Sequence, residues 1–342
     1  MRRLRKSPYS ERGTVSVMTA LLLVALLGFT ALVVDVGMLY AEKAQLQNGA
    51  DAAALAVAQD CALSLASTNC TTASPLAAGY AKSNANDGLS NIQSVQLNKS
   101  AGTVTVTTGA QQAGGEANKV SLSFARILGF DSAEVGATAG AQWGSPVAGP
   151  TVFPAAFSIC QVENSVGGGL QRLGLHGGSY ANPGCNYGPS GAPVAGGFGW
   201  LAQIPGQCGG YIDLLVQEGG SATGNNEPPN CTTVFNKWST ELNAGRRPTV
   251  LLPIFNQVTG TGSGANYKIS SFAAFEVTGW KFSGGSSLPS VFRNTSAYVG
   301  SKECTGDCRG IIGKFVRYVS LDEGHILGPV NKYGATVVRI TH

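Results

Sequence analysis

Thr14-Val-Ser-Val-Met-Thr-Ala-Leu-Leu-Leu-Val-Ala-Leu-Leu-Gly-Phe-Thr-Ala-Leu-Val-Val34 contains no charged side chain, and the rest of the chain is read outward from it. At 1.5 Å of rise per residue, a helix over this run is roughly 31 Å long, close to the roughly 30 Å hydrocarbon core of a bilayer. A cleaved secretory signal has a shorter apolar core, about 7 to 15 residues, ending at a small-residue cleavage site. The following residues, Val33-Val34-Asp35-Val36-Gly37, offer no such site. Residues 14–34 therefore read as one retained transmembrane helix.

The flanks set its direction. Arg2, Arg3, Arg5, Lys6 and Arg12 all precede the apolar run, and basic residues resist transfer across a membrane. The expectation is a single-pass protein of the cell membrane, with a basic cytoplasmic leader at 1–13 and an extracytoplasmic C-terminal domain. Asp35 ends the run. It reads as the residue marking membrane exit, or as a partner contact that pairs with a cation on a neighbouring helix.

The formal net charge of +4 is concentrated in the leader. Its first 12 residues hold five of the 23 basic groups and one of the 19 acidic groups, leaving 18 of each sign in the remainder. A neutral body carries no electrostatic footprint for nucleic acid. With 12% charged residues and 47 glycines, it suits a loop-rich or β-rich extracellular surface better than a cytosolic enzyme. All eight cysteines, Cys61, Cys70, Cys160, Cys185, Cys208, Cys231, Cys304 and Cys308, follow the apolar run. An even number in an oxidising compartment reads as disulfides. Proximity pairs Cys61 with Cys70 and Cys304 with Cys308, and leaves the middle four open. Cys304-Thr-Gly-Asp-Cys308 is the one close pair and lacks the C-x-x-C spacing or His partners of a zinc site.

Beyond Asp35 the helical pattern continues. Leu39, Leu46, Ala50, Ala53 and Val57 share one face, and the alanine-rich stretch around them is narrow enough for close backbone packing. This stripe serves either its own domain or helix-to-helix assembly between subunits. A rod of about 50 residues follows from the uninterrupted pattern. Pro75, with Leu76 and Tyr80, marks a short second helix with proline in its first turn. The period then changes to two. Val95 and Leu97, a turn at 98–102, and Thr103-Val-Thr-Val-Thr-Thr108 predict a hairpin. Val120, Phe124, Ile127 and Leu128 predict a helix capped by Gly129, with Phe130 making the accompanying apolar contact. A strand is expected over 133–143.

The fold class is therefore α+β. It comprises an N-terminal transmembrane or long helix, a small α-β-β-α-β module over 35–143, a linker at 144–150 and a mostly β, disulfide-containing extracellular domain over 151–342. Strand-like runs in that domain are 151–162, 249–258, 267–282, 311–321 and 335–341. Pro253 marks its run as an edge or a bulge. Long disulfide-tied loops are expected between 163 and 248. The aromatics Phe272, Phe275, Trp280, Phe282 and Phe292 read as core, although Phe272, Phe275 and Val277 do not keep one alternation.

Glu11-Arg-Gly-Thr14, the apolar span, Asp35-Val-Gly-Met-Leu-Tyr40, Leu46-Gln-Asn-Gly-Ala-Asp-Ala-Ala-Ala-Leu-Ala56 and Phe124-Ala-Arg-Ile-Leu-Gly-Phe130 resemble the TadE/TadG-like proteins of the tight-adherence, Flp-type pilus-assembly system. The resemblance covers residues 11–143. It implies a membrane-anchored pilus-assembly or minor pilin-like envelope protein supporting pilus biogenesis and surface adhesion. The implied partners are other pilus-assembly membrane proteins or pilins, besides the lipid bilayer, with no nucleic acid and a surface ligand of unknown kind. Two family features differ. Prepilin-like members are cut after a glycine with glutamate five residues beyond, whereas Met18 is fifth after Gly13, so an uncut chain is expected. The D-x-S-x-S loop of integrin-like metal-binding members is absent.

No catalytic, cofactor or metal site is expected, and no cofactor is implied. Ser179, His325 and Asp322 are the residue types of a hydrolase triad, but the chain has no G-x-S-x-G elbow. The glycine clusters at 167–169 and 260–264 lack a P-loop lysine and read as turns. N-x-S/T sequons occur at Asn69, Asn98, Asn230 and Asn294. The alternative to a pilus role is a membrane-tethered cell-surface binding protein unrelated to pili, with a secreted hydrolase third.

Overall fold

A computed structural model of the chain describes residues 10–163, 168–174, 198–214, 216, 219–222, 230–259, 266–282, 290–319, 325–331 and 334–341. The chain forms two compact units. The first holds residues up to 98, 103–141 and 340–342, and the second holds 99–102 and 142–339.

The first unit is organised by α1, Ser10–Leu63, a single helix of 54 residues. Leu- and Ala-rich sequence without proline lets it run unbroken through and beyond the apolar span. It ends where Ser64 N–H donates to the Asp60 carbonyl at 3.0 Å and the Cys61–Cys70 disulfide ties the following loop back. The helix changes character along its length. Val15 to Val34 present their apolar side chains outward, while Leu46, Ala50, Ala53, Ala54, Val57 and Ala58 are buried.

The short helix α2, Pro75–Ser83, has proline at its first turn. It packs against the alanine face of α1 with almost no space between backbones: a Cβ added at Gly49 would lie 3.2 Å from the Ala81 Cα. The hairpin is formed by β1, Asn91–Asn98, and β2, Thr103–Gly109, paired antiparallel from Asn91↔Gly109 to Asn98↔Thr103. Val104, Val106 and Thr108 of β2 point inward. The buried Thr108 hydroxyl donates to the Leu46 carbonyl at 2.9 Å, tying the hairpin to the mid-helix backbone.

Beyond the hairpin the structure departs from the expected helix and strand. Val120 lies in β3, Lys119–Ser121, which pairs antiparallel with β4, Ser132–Glu134. Only Ala125–Leu128 are helical, as one turn of 3-10 helix. Gly129, at φ 92°, caps it as expected, and Phe130 N–H bonds to the Ala125 carbonyl at 3.2 Å. Phe130 itself is 64% exposed, so its side chain faces largely outward rather than into a core. The next strand, β5, runs from Gly136 to Thr151. Its first part completes the first unit, with Ala137, Ala139 and Ala141 buried at a period of two. The expected linker at 144–150 is therefore strand. Pro146 and Pro150 are accommodated because their partner strands are short, which keeps this part of β5 close to an edge.

In the second unit, the latter half of β5 pairs with β9, Gly210–Asp213, and β16, Ile326–Gly328. The main sheet is built from β6, Ala155–Ser158, then β7, Gln171–Leu173, β8, Phe198–Leu201, and β10, Gly219–Ala222, with the long strands β11, Thr249–Thr259, and β12, Asn266–Lys281. It also contains β13, Val291–Phe292, and β14, Gly310–Val316, and its order is β10-β8-β6-β11-β12-β14-β7 with β13 on β12. Because β10 also pairs with the start of β12, strands β8, β6, β11, β12 and β10 close a circuit of pairings. Among the described residues there are also α3, Ile159–Glu163; α4, Thr232–Asn243; α5, Ser296–Val299, followed by a 3-10 turn at Gly300–Lys302; β15, Tyr318–Val319; and β17, Thr336–Thr341. Strands β15 and β17 pair in parallel. The stretch expected to be loops at 163–248 thus contains α4, whose Phe235, Trp238, Ser239 and Leu242 form one buried face.

Both faces of β12 are buried, which explains the broken alternation of its aromatics. Phe272 and Ala274 enter one core with Leu251, Phe255 and Ile269. Ala273, Phe275 and Val277 enter the other, an aromatic core with Phe153, Trp200, Phe235 and Trp238. A register shift between Val277 and Gly279 then exchanges the faces, so that Trp280 and Phe282 return to the aromatic core. Pro253 is not on an edge strand, since β11 pairs with both β6 and β12, but bulges follow it immediately between Ile254 and Gln257.

Gly279 makes the β12 bulge possible. A Cβ there would stand 2.5 Å from the Arg293 carbonyl oxygen and 2.8 Å from that of Phe292. Gly279→Ala is expected to destabilise the second unit by about 2 kcal/mol, since backbone must move to relieve the overlap. A lowered urea midpoint with unchanged slope is the measurement that checks it.

Candidate functional site: the end of the apolar span on the long helix

The apolar span is uncovered by the chain itself: its most apolar window has none of its residues buried. At the residue that follows Val34 this changes abruptly. Asp35 is 3% exposed, and both carboxylate oxygens accept backbone hydrogen bonds from the loop entering the 3-10 turn. Ser123 N–H donates to Oδ1 at 2.9 Å. Phe124 and Ala125 N–H donate to Oδ2 at 3.0 and 2.6 Å.

These three donors are the ones a short helix cannot satisfy within itself. A carboxylate supplies them with charge-assisted bonds from 88 to 90 residues away. Desolvation favours the neutral acid, and the N–H groups of Ala125, Phe124 and Ser123 more than offset it. The Asp35 carboxyl is held below the usual carboxylate range. Asp35 is thus a structural clamp at the point where the span ends, a role its position in the sequence did not disclose.

Just past Asp35 lies a shallow groove lined by Val36, Leu39, Tyr40, Lys43, Glu134, Val135 and Gly136. Leu39 packs with Met38 against a small core of Leu46, Ala110, Val120, Val135 and Ala137. The other stripe residues, Leu46, Ala50, Ala53 and Val57, are each 1% exposed or less. The stripe offered for assembly between subunits is therefore occupied inside one chain, because α2 and the hairpin cover it.

The cysteines form disulfides Cys61–Cys70, Cys208–Cys231 and Cys304–Cys308 among the described residues. Cys185 and the side chain of Cys160 lie outside them. Among the described residues no group of His, Cys, Asp and Glu is placed to hold a metal ion. Of the triad types, Ser179 and Asp322 lie outside the described residues. His325 places Nε2 3.0 Å from the Pro150 carbonyl oxygen and its ring edge-on to Phe272. Of the sequons, Asn294 is buried and its side-chain amide donates to the Cys304 carbonyl at 2.6 Å, so it is closed to glycosylation in the folded chain.

The long helix also decides what the chain is similar to. Residues 13–60 match the Tad family model, described as putative Flp pilus-assembly TadE/G-like. The matched segment is the span, the Asp35 clamp and most of the alanine face, so the N-terminal module carries the Tad pattern its sequence resembles. The Tad match stops inside α1 and does not reach the loop at 123–130, where the resemblance read from sequence continues. No curated protein and no solved structure matches the chain. A Tad-type segment with an uncovered apolar helix fits a membrane-anchored pilus-assembly protein.

Proposed function

We propose that the chain is a membrane-held pilus-assembly factor or minor pilin-like subunit, with its leader in the cytoplasm and both folded units outside. The observation that carries this reading is the continuity of one helix from an unburied apolar span into the Tad-matched, packed segment. The helix anchors and the folded units present a surface, which is an assembly role without bond chemistry. The basic leader supports the cytoplasm-in orientation, and the three disulfides belong in an oxidising compartment.

With the alanine stripe covered, partners in the assembly platform or among the pilins are met by the membrane-embedded face of α1 and by the exposed surface of the folded units. Surface adhesion belongs to the same reading, as the purpose of the fibres. Met18 in place of the family's glutamate removes a carboxylate that pairs subunits within an apolar fibre core, which favours an uncut, membrane-resident factor.

Alkaline extraction of membranes, followed by intact-mass and N-terminal sequencing of the pellet and of sheared surface fibres, tests the placement. The expected result is a chain retained in the pellet with residues 1–13 present. A chain beginning at Thr14 and recovered in fibres would replace the assembly-factor role with that of a processed fibre subunit.

A further inference from the structure

The loop clamped by Asp35 is apolar and outward-facing. Phe124 is 42% exposed, Ile127 81%, Leu128 66% and Phe130 64%. Four large apolar side chains within seven residues are far from the scattered exposure normal on a soluble surface. The loop is not placed arbitrarily, because its backbone is bonded directly to Asp35, the first residue beyond a run long enough to cross the hydrocarbon core. Its depth is therefore that of the membrane boundary.

We infer that residues 124–130 form a second, interfacial membrane contact, inserting their apolar side chains into the lipid surface beside the point where α1 emerges. This rests on the anchored reading of residues 14–34. The backbone of the loop is bonded to the residue that directly follows the uncovered apolar span, and this placement argues for lipid as the occupant. Arg126 is the one charged residue between Leu122 and Phe130 and suits the phosphates of the headgroup layer. Tyr40, 72% exposed and just past Asp35 on the helix, has the amphipathic ring enriched at that level. A loop of this size enters about 5–10 Å into the boundary between headgroups and acyl chains. Asp35 then holds the loop against the emerging helix.

The test uses the full chain in phosphatidylcholine vesicles containing brominated acyl chains, with tryptophan introduced singly by Val24→Trp in the span, Ile127→Trp in the loop and Tyr80→Trp on α2. Leu128→Trp serves as a second loop position, and the signal of the four native tryptophans is subtracted using the unsubstituted chain. The expected result is strong quenching at 24, at least about half as much at 127 and 128 for shallow insertion, and none at 80. Quenching at 24 without quenching at 127 or 128 overturns the loop contact and leaves the anchor intact. Loop emission that shifts with protein density, unquenched by lipid, assigns the patch to a second copy and overturns it equally. No quenching at 24 removes the anchor and this inference together.

Discussion

Asp35→Ala is expected to release the loop at 123–125 from the long helix while leaving the hairpin and α2 folded. The three N–H donors lose their acceptor, and the 3-10 turn has no other way to satisfy them inside the chain. Amide exchange at Ser123, Phe124 and Ala125 should accelerate on the order of tenfold or more, with little change in β1 and β2, because local opening reports the bonds that hold each segment. Asp35→Asn keeps the shape and one acceptor oxygen, and should fall between the two.

Acid gives the same result without mutation. A carboxylate whose folded value is depressed contributes stability fully above its ordinary range, and the contribution disappears as pH falls through the folded value. Protection of the three amides, corrected for intrinsic exchange, should therefore be flat from neutral pH down to the usual carboxylate range and be lost below it. The side-chain amide introduced by Asp35→Asn cannot titrate, so that variant should show no such step. Uniform protection in Asp35→Ala would show that the loop is held by something other than the clamp.

Phe235→Ala is the second large effect. Phe235 lies on the buried face of α4, with ring centroids 5.6 Å from Phe153, 5.6 Å from Trp238, 5.2 Å from Trp280 and 5.7 Å from Phe282. Removing the ring opens a cavity at the junction of these side chains. Expected destabilisation is about 3–5 kcal/mol, seen as a large fall in the denaturant midpoint of the second unit and altered tryptophan emission. Phe235→Leu keeps most of the volume and should recover more than half of the loss. An effect on Phe235→Ala no larger than that of a surface substitution would mean that α4 is not docked on the sheet.

What the residues disclosed and withheld follows from the range of the interactions. The span, the Pro75 helix, the hairpin and the Gly129 cap are set by neighbours a few positions away, and each is where local pattern places it. The apolar period through Phe124, Ile127 and Leu128 was equally visible, but periodicity tells which side chains avoid water and not what receives them. Expected to be a helix with Phe130 in apolar contact at its cap, that stretch is instead a single 3-10 turn with its apolar side chains outward. The α4 face of Phe235, Trp238 and Leu242 has helical spacing too, hidden between a proline-rich approach and Gly245. The Asp35 clamp joins residues about 90 apart, and no local rule marks it. The face exchange in β12 depends on one glycine, so a strict alternation could not have found it. The alanine stripe was legible as a packing face, while the identity of its cover, α2 and the hairpin, was not.

The proposed role is support of pilus assembly from the membrane, through residues 14–34. The most direct measurement is the number of surface fibres in a host lacking the gene, complemented either with the full chain or with the same body released by a cleavable signal in place of residues 1–34. The expected result is fibre loss in the deletion, restoration by the anchored chain and none by the released body. Normal fibres in the deletion strain would contradict a role in assembly, and restoration by the released body would contradict the need for the anchor.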